Sequence, residues 1–354
     1  MTAPRQILPG QTYLVTRRAT QRQFLLKPSR LTNQIVEYSL ALAAERTGVL
    51  LHAVCAMSNH WHAVVTDPFA RLPEFLERFH RMVARAQNAS LGRCENFWSS
   101  DKPSVVRLVS DQDILEKMAY TLANPTAAGL VRSPDAWPGV ISKRVTEQRT
   151  IAMPNVFFDP TGTLPESVQL EITRPPIYPQ LSLGELARHL QQAVQRHVRR
   201  ARQALADAGR AFLGVREVLR QSFADKPATP EPRRHSKPRI AAHHPTERAE
   251  ATRHLKAFLQ QYRAAWQAWR AGHREQIFPA GTYALRLYAR VACAPPFQIA
   301  LLSGLAYRAC RAAARAAEID ASVFRRAFWR LTKRFQRVTV GARRTAYSGD
   351  PRAG

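Results

Sequence analysis

His60 and His62 are separated by one residue, and Tyr120 and Asn124 by one helical turn. Residues two apart on a strand point to the same face, so there the two imidazoles project side by side and Trp61 points away. Two imidazoles so placed can share one metal ion. At a spacing of four on a helix, Tyr120 and Asn124 share a face. Asparagine supplies an oxygen ligand of the kind that suits magnesium or manganese. A tyrosine beside such a metal can attack a phosphodiester while the metal polarises the non-bridging oxygen. The energy of the broken bond is kept in a phosphotyrosine link, so a cut strand can be rejoined without ATP. Residue by residue, other roles stay open. Tyr120 also fits a half-buried helix tyrosine whose hydroxyl meets solvent. Asn124, just before Pro125, also fits a helix-ending residue.

The elements that must position these residues can be read from periodicity. Residues 12–17 (TYLVTR) are β-rich and read as a strand. Residues 29–47 carry Ile35, Val36, Leu40, Ala43 and Ala44 at helical spacing, and Gly48 is a natural stop. The apolar runs 49–57 and 60–66, joined by Ser58-Asn59, read as a β-hairpin. Residues 71–91 are helical, with Leu72, Phe75, Leu76, Phe79, Met82 and Val83 on one stripe. Residues 104–109 read as a short strand. The helix at 111–123 has Ser110 as N-cap, Asp111 and Asp113 at its positive end, and Pro125 to close it. This order is an α+β pattern, a small and mostly antiparallel sheet with helices packed on it.

Further along, residues 134–181 are rich in Pro and Gly and read as a linker or an extended wrap. Residues 182–224 are strongly helical, with a break near Gly209, and carry Arg188, Arg196, Arg199 and Arg200 among other arginines. Residues 225–245 have the composition of a flexible linker. Residues 246–271 and the stretch to about 340 are helical again. The expected organisation is a catalytic domain over 1–150, a Pro-rich connector with a basic helical region over 151–224, a linker over 225–245 and a basic helical domain over 246–354.

The 354-residue chain holds 53 Lys and Arg against 26 Asp and Glu, a net charge of +27. Such an excess points to a polyanionic partner, since each phosphate contact releases condensed counterions. Residues 1–150 carry 19 basic and 12 acidic side chains, leaving 34 basic and 14 acidic in the rest, so the net is +7 against +20. No long amphipathic Lys/Trp helix lies near either end to serve a membrane surface. The start, MTAPRQILPG, has no apolar region of signal-peptide type, and no apolar run reaches membrane-spanning length. Cys55, Cys94, Cys293 and Cys310 form no CxxC pair, which excludes zinc-finger spacing and fits reduced thiols. The expected location is cytoplasmic, with no membrane partner.

SNHWHAVV resembles the His-hydrophobic-His strand of the single-tyrosine HUH transposases. YTLANPTAAGLV resembles their tyrosine segment, Tyr-x-x-x-Asn-Pro-x-x-Ala-Gly. YLVTRRATQRQFLL, LGRCENFWSSD and DAWPG stand in the expected order around them. The likeness covers about residues 10–142 and points to the REP-associated tyrosine transposases. It implies a ferredoxin-like antiparallel sheet with helices on one side, followed here by a mostly helical basic region. It implies Tyr120 as nucleophile, and His60, His62 and Asn124 as ligands of Mg²⁺ or Mn²⁺. The implied partner is single-stranded or hairpin DNA, cut to leave a 5′-phosphotyrosine and a free 3′ hydroxyl. Some members work as dimers, so a homodimer is among the expected states. Ser58 replaces the usual proline of the first motif and Thr126 the usual valine of the second; neither removes a ligand or the nucleophile.

Other residues carry weaker signals. Arg17, Arg18 and Arg22, at the end of the first strand, are candidates for contact with DNA, or an exposed basic loop. His52 lies on the neighbouring strand, as a site residue or a hydrogen-bonded core histidine. Glu116 is one turn before Tyr120, to orient it or Lys117, or as a solvated helix charge. The stretch 308–344 has eleven Lys and Arg against two acids, interleaved with aromatics. With residues 182–224 it is a candidate clamp for duplex stems flanking a cut. Besides the strand transferase, a non-catalytic relative that binds DNA hairpins and a basic RNA-binding protein fit the composition. The co-occurrence of His60, His62, Tyr120 and Asn124 favours the enzyme.

Overall fold

The computed structural model describes residues 4–157, 159–176, 181–229 and 238–296. The described residues up to 296 form one compact unit, and the basic stretch 308–344 lies outside the described residues.

The first seven elements match the periodicity. They are β1 (Gln11–Arg18), α1 (Arg30–Thr47), β2 (Leu50–Met57), β3 (His60–Asp67), α2 (Leu72–Ser90), β4 (Ser104–Leu108) and α3 (Asp111–Ala127). Local chemistry sets their ends. The Ser29 hydroxyl caps α1 by accepting from Thr32 N–H at 3.0 Å, and Gly48 at φ 72° closes it. Ser110 and Asp113 form a reciprocal capping box at the start of α3.

β2, β3, β1 and β4 lie side by side in that order, all antiparallel. With the chain order βαββαβ this is the ferredoxin-like arrangement. Alternation along the strands gives the sheet two faces. Trp61 and Val65 face α1 and α2, in a core that includes Tyr38, Leu40, Phe75 and Phe79. Leu14, Val64 and Val106 face the other way, towards α3, in a core with Ile114, Met118 and Ala119. Helices therefore cover both faces, where the resemblance implied one. The reason is the apolar stripe of α3, which needs its own burial and finds it on the face α1 and α2 leave open.

The described part of residues 134–181, read as a linker or wrap, is built into the sheet. β5 (Glu147–Ala152) and β6 (Ser167–Ile172) form a hairpin whose second strand pairs parallel with β2. The segment before it runs beside β2, where Ala56 N–H donates to the Val140 carbonyl at 2.8 Å. Strands that bury one face and add to an existing edge need few apolar residues, so their alternation is faint.

α4 (Leu183–Asp207) follows, then the short α5 (Val215–Arg220), with Gly209 between them. α4 packs its Leu186, Leu190 and Ala193 against α3. The described part of the expected linker over 225–245 is also tied down. β7 (Ile240–Ala241) pairs parallel with β4, and His243 N–H donates to Asp113 Oδ1 at 2.7 Å. α6 (Pro245–Arg270) and α7 (Ala284–Tyr288) complete the described residues, with a small core around Phe278. The N-terminal segment meets this part directly, as Ile7 N–H donates to the Gly281 carbonyl at 3.0 Å. The expected boundaries at 150, 224 and 245 thus separate no compact units. The first falls inside β5. The sheet is seven-stranded and mixed, since its two outer additions are parallel.

Candidate active site

β3 is an interior strand, and its first residues carry His60 and His62 on the face that α3 covers. In register, Arg18 and Met57 flank His60, and Thr16 and Cys55 flank His62. α3 crosses this face and delivers Asn124 and Tyr120. Pro125 was expected to end α3, yet the helix runs on to Ala127. Proline costs one N–H bond to Thr121, and the burial of Ala123, Asn124, Pro125 and Thr126 outweighs that loss. Asn124 is therefore a helix-interior residue with its side chain aimed at the sheet.

The His60 and His62 rings are 4.7 Å apart and nearly perpendicular. Asn124 Nδ2 stands 3.2 Å from His62 Nε2. The Tyr120 ring is 5.5 Å from that of His62, and Tyr120 is 37% exposed where Asn124 is 7%. The arrangement is a floor of two imidazoles and an amide, buried at His62 and Asn124 and half-buried at His60, with a phenol at its rim.

The hydrogen bonds settle which nitrogen of His60 carries its proton. Asn59 Nδ2 donates to the Arg22 carbonyl at 3.1 Å, which fixes the Asn59 amide. Its Oδ1 then faces His60 Nδ1 at 2.6 Å, and an amide oxygen only accepts. His60 Nδ1 is the donor, and Nε2 bears the lone pair. His62 Nδ1 meets Thr16 Oγ1 at 2.8 Å while Asn124 is at Nε2, which gives His62 the same tautomer. Burial pushes His60 down to about 4, helped by Arg18 and opposed by a hydrogen bond with Asn124. Burial, then the nearby His60, holds His62 well below the ordinary histidine range. Both rings are neutral at pH 7.

Neutral imidazoles with outer partners on Nδ1 and lone pairs on Nε2 are what a metal ion requires. The donor set fits a divalent cation. Among the described residues no group of three or more His, Cys, Asp or Glu could hold one, so an ion here would rely on His60, His62 and the Asn124 amide. Imidazole nitrogens beside an amide oxygen suit Mn²⁺ better than Mg²⁺, which prefers an all-oxygen shell.

A second cluster lies on the far side of Tyr120. Glu116, one turn earlier, accepts from Arg196 at 2.7 Å and meets His197 at 3.1 Å, both from α4. Burial pushes the Glu116 carboxyl up, and Arg196 and His197 outweigh it, so it sits below the usual range. The His197 ring is 6.5 Å from that of Tyr120, and Lys117 Nζ lies 5.6 Å from its centre.

The other candidates separate. His52 lies at the opposite end of the same face. It hydrogen-bonds Thr66 Oγ1 and the Thr173 carbonyl, each at 2.8 Å, as a core histidine joining β2, β3 and the chain after β6. Arg18 shares the face of His60, whereas Arg17 opposes Trp61 and lies over the Trp98 ring at 5.5 Å, on the α2 side. Arg22 bonds Thr229 through its guanidinium and offers its carbonyl to Asn59. The three arginines do not form one surface. Sequence reasoning missed Thr16, the orienting role of Asn59, and Arg196 with His197. Alternation already puts Thr16 and Arg18 on one face of β1; only the β1–β3 register says what they face.

No protein-family model and no curated protein matches the chain. Solved structures are similar to it in part. One is a REP-associated tyrosine transposase bound to a REP hairpin, at 19% identity, covering 39% of this chain and 81% of that one, with a TM-score of 0.32. Another is a candidate transposase from Deinococcus radiodurans, at 18% identity, covering 32% of this chain and 88% of that one, with a TM-score of 0.25.

Proposed function

We propose that this protein is a transposase-like enzyme that cuts and rejoins single-stranded DNA, with Tyr120 as nucleophile and a divalent metal held by His60, His62 and Asn124. The observation that carries this reading is the convergence of His62, Asn124 and Tyr120. An amide 3.2 Å from a neutral imidazole lies beside a phenol that reaches solvent. A core polar network has no need of the exposed phenol, and a surface tyrosine has no need of the buried pair.

When bound, Mn²⁺ or Mg²⁺ supplies charge to offset that developing on the phosphate oxygens. The chain's residues do the rest. Asn59 and Thr16 hold the Nδ1 side of the two rings, so that Nε2 of each would carry the ion once the Asn124 amide gives up its bond to His62. Asn124 adds its amide from the helix that also carries Tyr120, so ligand and nucleophile move as one rigid body. The Tyr120 hydroxyl attacks phosphorus, the bond to the 3′ oxygen breaks, and the proton lost by the phenol is made up on that oxygen from solvent. The product is a 5′-phosphotyrosine and a free 3′ hydroxyl, and reversal rejoins the strand. The net charge of +27 suits a DNA substrate, single-stranded or with a hairpin.

The test uses the full chain, Mn²⁺ and end-labelled single-stranded oligonucleotides with and without hairpins, resolved on denaturing gels. A covalent protein–DNA band that disappears in Tyr120→Phe is expected. A band that survives in Tyr120→Phe, or none across a broad panel, overturns the reading and leaves a DNA-binding protein without this chemistry.

A further inference from the structure

We infer that α4 is a duplex-reading helix whose outward stripe of Arg188, Gln191, Gln192, Gln195, Arg196 and Arg199 enters the major groove of B-form DNA beside Tyr120. The inference rests on the proposed function for the role of Tyr120, but not for the binding itself.

The composition of α4 is the first observation. Between Glu185 and Asp207 it carries five arginines, two histidines and no acid. A helix face solvated for its own sake mixes both signs, because like charges one turn apart repel. Here the outer face holds almost only arginine and glutamine. Gln191, Gln192, Gln195 and Arg199 make no hydrogen bond or ion pair among the described residues. From Arg188 to Gln203 no large apolar side chain is exposed, which argues against a membrane surface or an apolar protein groove.

The chemistry of these two side chains narrows the partner. Arginine bonds the guanine edge through two donors, and glutamine pairs in the same bidentate way with adenine. The stripe from Arg188 to Arg199 spans about 16 Å, the rise of about five base pairs. An α-helix fits the major groove of B-form DNA, and the deep, narrow groove of A-form RNA does not admit one.

The helix is also held as a reading element must be. Its inner face is cemented to α3 by Leu186, Leu190 and Ala193. Its middle is clasped by Glu116 through Arg196 and His197, one turn from Tyr120. Near its end Arg202 donates twice to the Arg132 carbonyl, at 3.1 and 2.7 Å. The duplex would therefore be gripped at a fixed offset from the attacking hydroxyl, which makes α4 a ruler for the cut.

The test is made in EDTA with the full chain and fluorescein-labelled DNA duplexes about 20 base pairs long with a randomised centre. Rounds of selection are expected to enrich a motif of about five base pairs for the native chain. R188A/Q192A/Q195A/R199A should lose that motif, weaken binding of the enriched duplex about 10- to 100-fold, and flatten the salt slope by about two. R188K/R199K keeps the charge without the bidentate fork, so it should retain the slope and lose the selectivity. Three results overturn the inference: no enriched motif, unchanged affinity and slope in the quadruple variant, or equal binding of duplex RNA. Covalent capture of an unstructured single strand in Mn²⁺, measured on the same variant, keeps the readings apart. Capture retained with duplex selection lost supports the role of α4. In the native chain, capture absent while the duplex motif is still enriched leaves the role of α4 supported and strikes only at the nucleophile.

Discussion

Asn124 Nδ2 lies 3.2 Å from His62 Nε2, across 62 positions of sequence and from the opposite side of a sheet–helix interface. The bond ties α3 to β3 at the point where the proposed ligands meet. Asn124→Leu keeps the branched outline of the side chain and removes the amide. The expected loss of stability is about 1 kcal/mol, a few degrees in Tm, with Mn²⁺ affinity and covalent capture down by ten-fold or more. Calorimetric Mn²⁺ titration beside a thermal melt separates the two effects. An undiminished Mn²⁺ affinity would remove Asn124 from the ligand set.

Thr16 acts from behind. Its hydroxyl accepts from His62 Nδ1 at 2.8 Å and fixes the ring. Thr16→Val is nearly isosteric and should lower Mn²⁺ affinity about 10- to 100-fold, while Thr16→Ser restores it. Equal affinities in all three proteins would show that the ring needs no such anchor.

Acid should weaken the fold, and His52 shows the sign. Its ring is buried between Thr66 and the Thr173 carbonyl, and burial pushes it down to about 4. The unfolded chain takes up a proton near pH 6.5 and the folded chain does not. Stability is therefore full above about pH 6.5 and falls as the pH drops towards 4, by about 3 kcal/mol from this residue. Burial holds His80 well below its ordinary range too, which adds to the loss. Urea midpoints at pH 7.5 and pH 5 measure it, and His52→Gln should flatten the difference. Identical midpoints for the native chain would contradict the account.

Gly139 sets how closely the chain after α3 approaches β2. A Cβ there would stand 2.5 Å from Trp137 Nε1 and 3.1 Å from the Ala56 carbonyl. Those two groups are joined by a 3.0 Å hydrogen bond, so neither can move freely. Gly139→Ala should destabilise by about 1–3 kcal/mol. Gly184, in the first turn of α4 with nothing within 4 Å of a Cβ, is the control. Gly184→Ala should be neutral or stabilising by up to about 1 kcal/mol. Chemical denaturation of both variants decides, and equal midpoints would refute the steric argument.

Trp61 separates the two histidines in sequence and faces the other core. It is 1% exposed, stacks edge-on with Phe79 and donates to His80 Nε2 at 3.1 Å. Trp61→Ala should cost about 3–5 kcal/mol. A denaturation midpoint close to that of the native chain would mean that the α2 side of the sheet repacks more readily than its density implies.

Some of this was present in the sequence alone. The alternation of HWHAVV decided that His60 and His62 share a face with Trp61 on the other, because the pleat has period two whatever the strand's neighbours. The spacing of Tyr120 and Asn124 decided that one helix face carries both, and the charge balance decided that the chain is strongly basic. Such properties depend only on the local repeat of the backbone and on formal charge.

Tertiary structure decided what those faces meet. Thr16 became the partner of His62, and Arg17 and Arg18 fell on opposite faces, only through the β1–β3 register. Burial of Ala123, Asn124, Pro125 and Thr126 kept α3 helical past Pro125, against the local preference of proline. β6 and β7 joined the sheet by parallel pairing over long loops, which leaves almost no mark in a short stretch of residues. α4 reached Glu116 from 80 positions away because an apolar stripe on each helix found the other. Periodicity says which side of an element is apolar. Which element buries it is a competition among all such surfaces, decided by packing and loop closure over the whole chain.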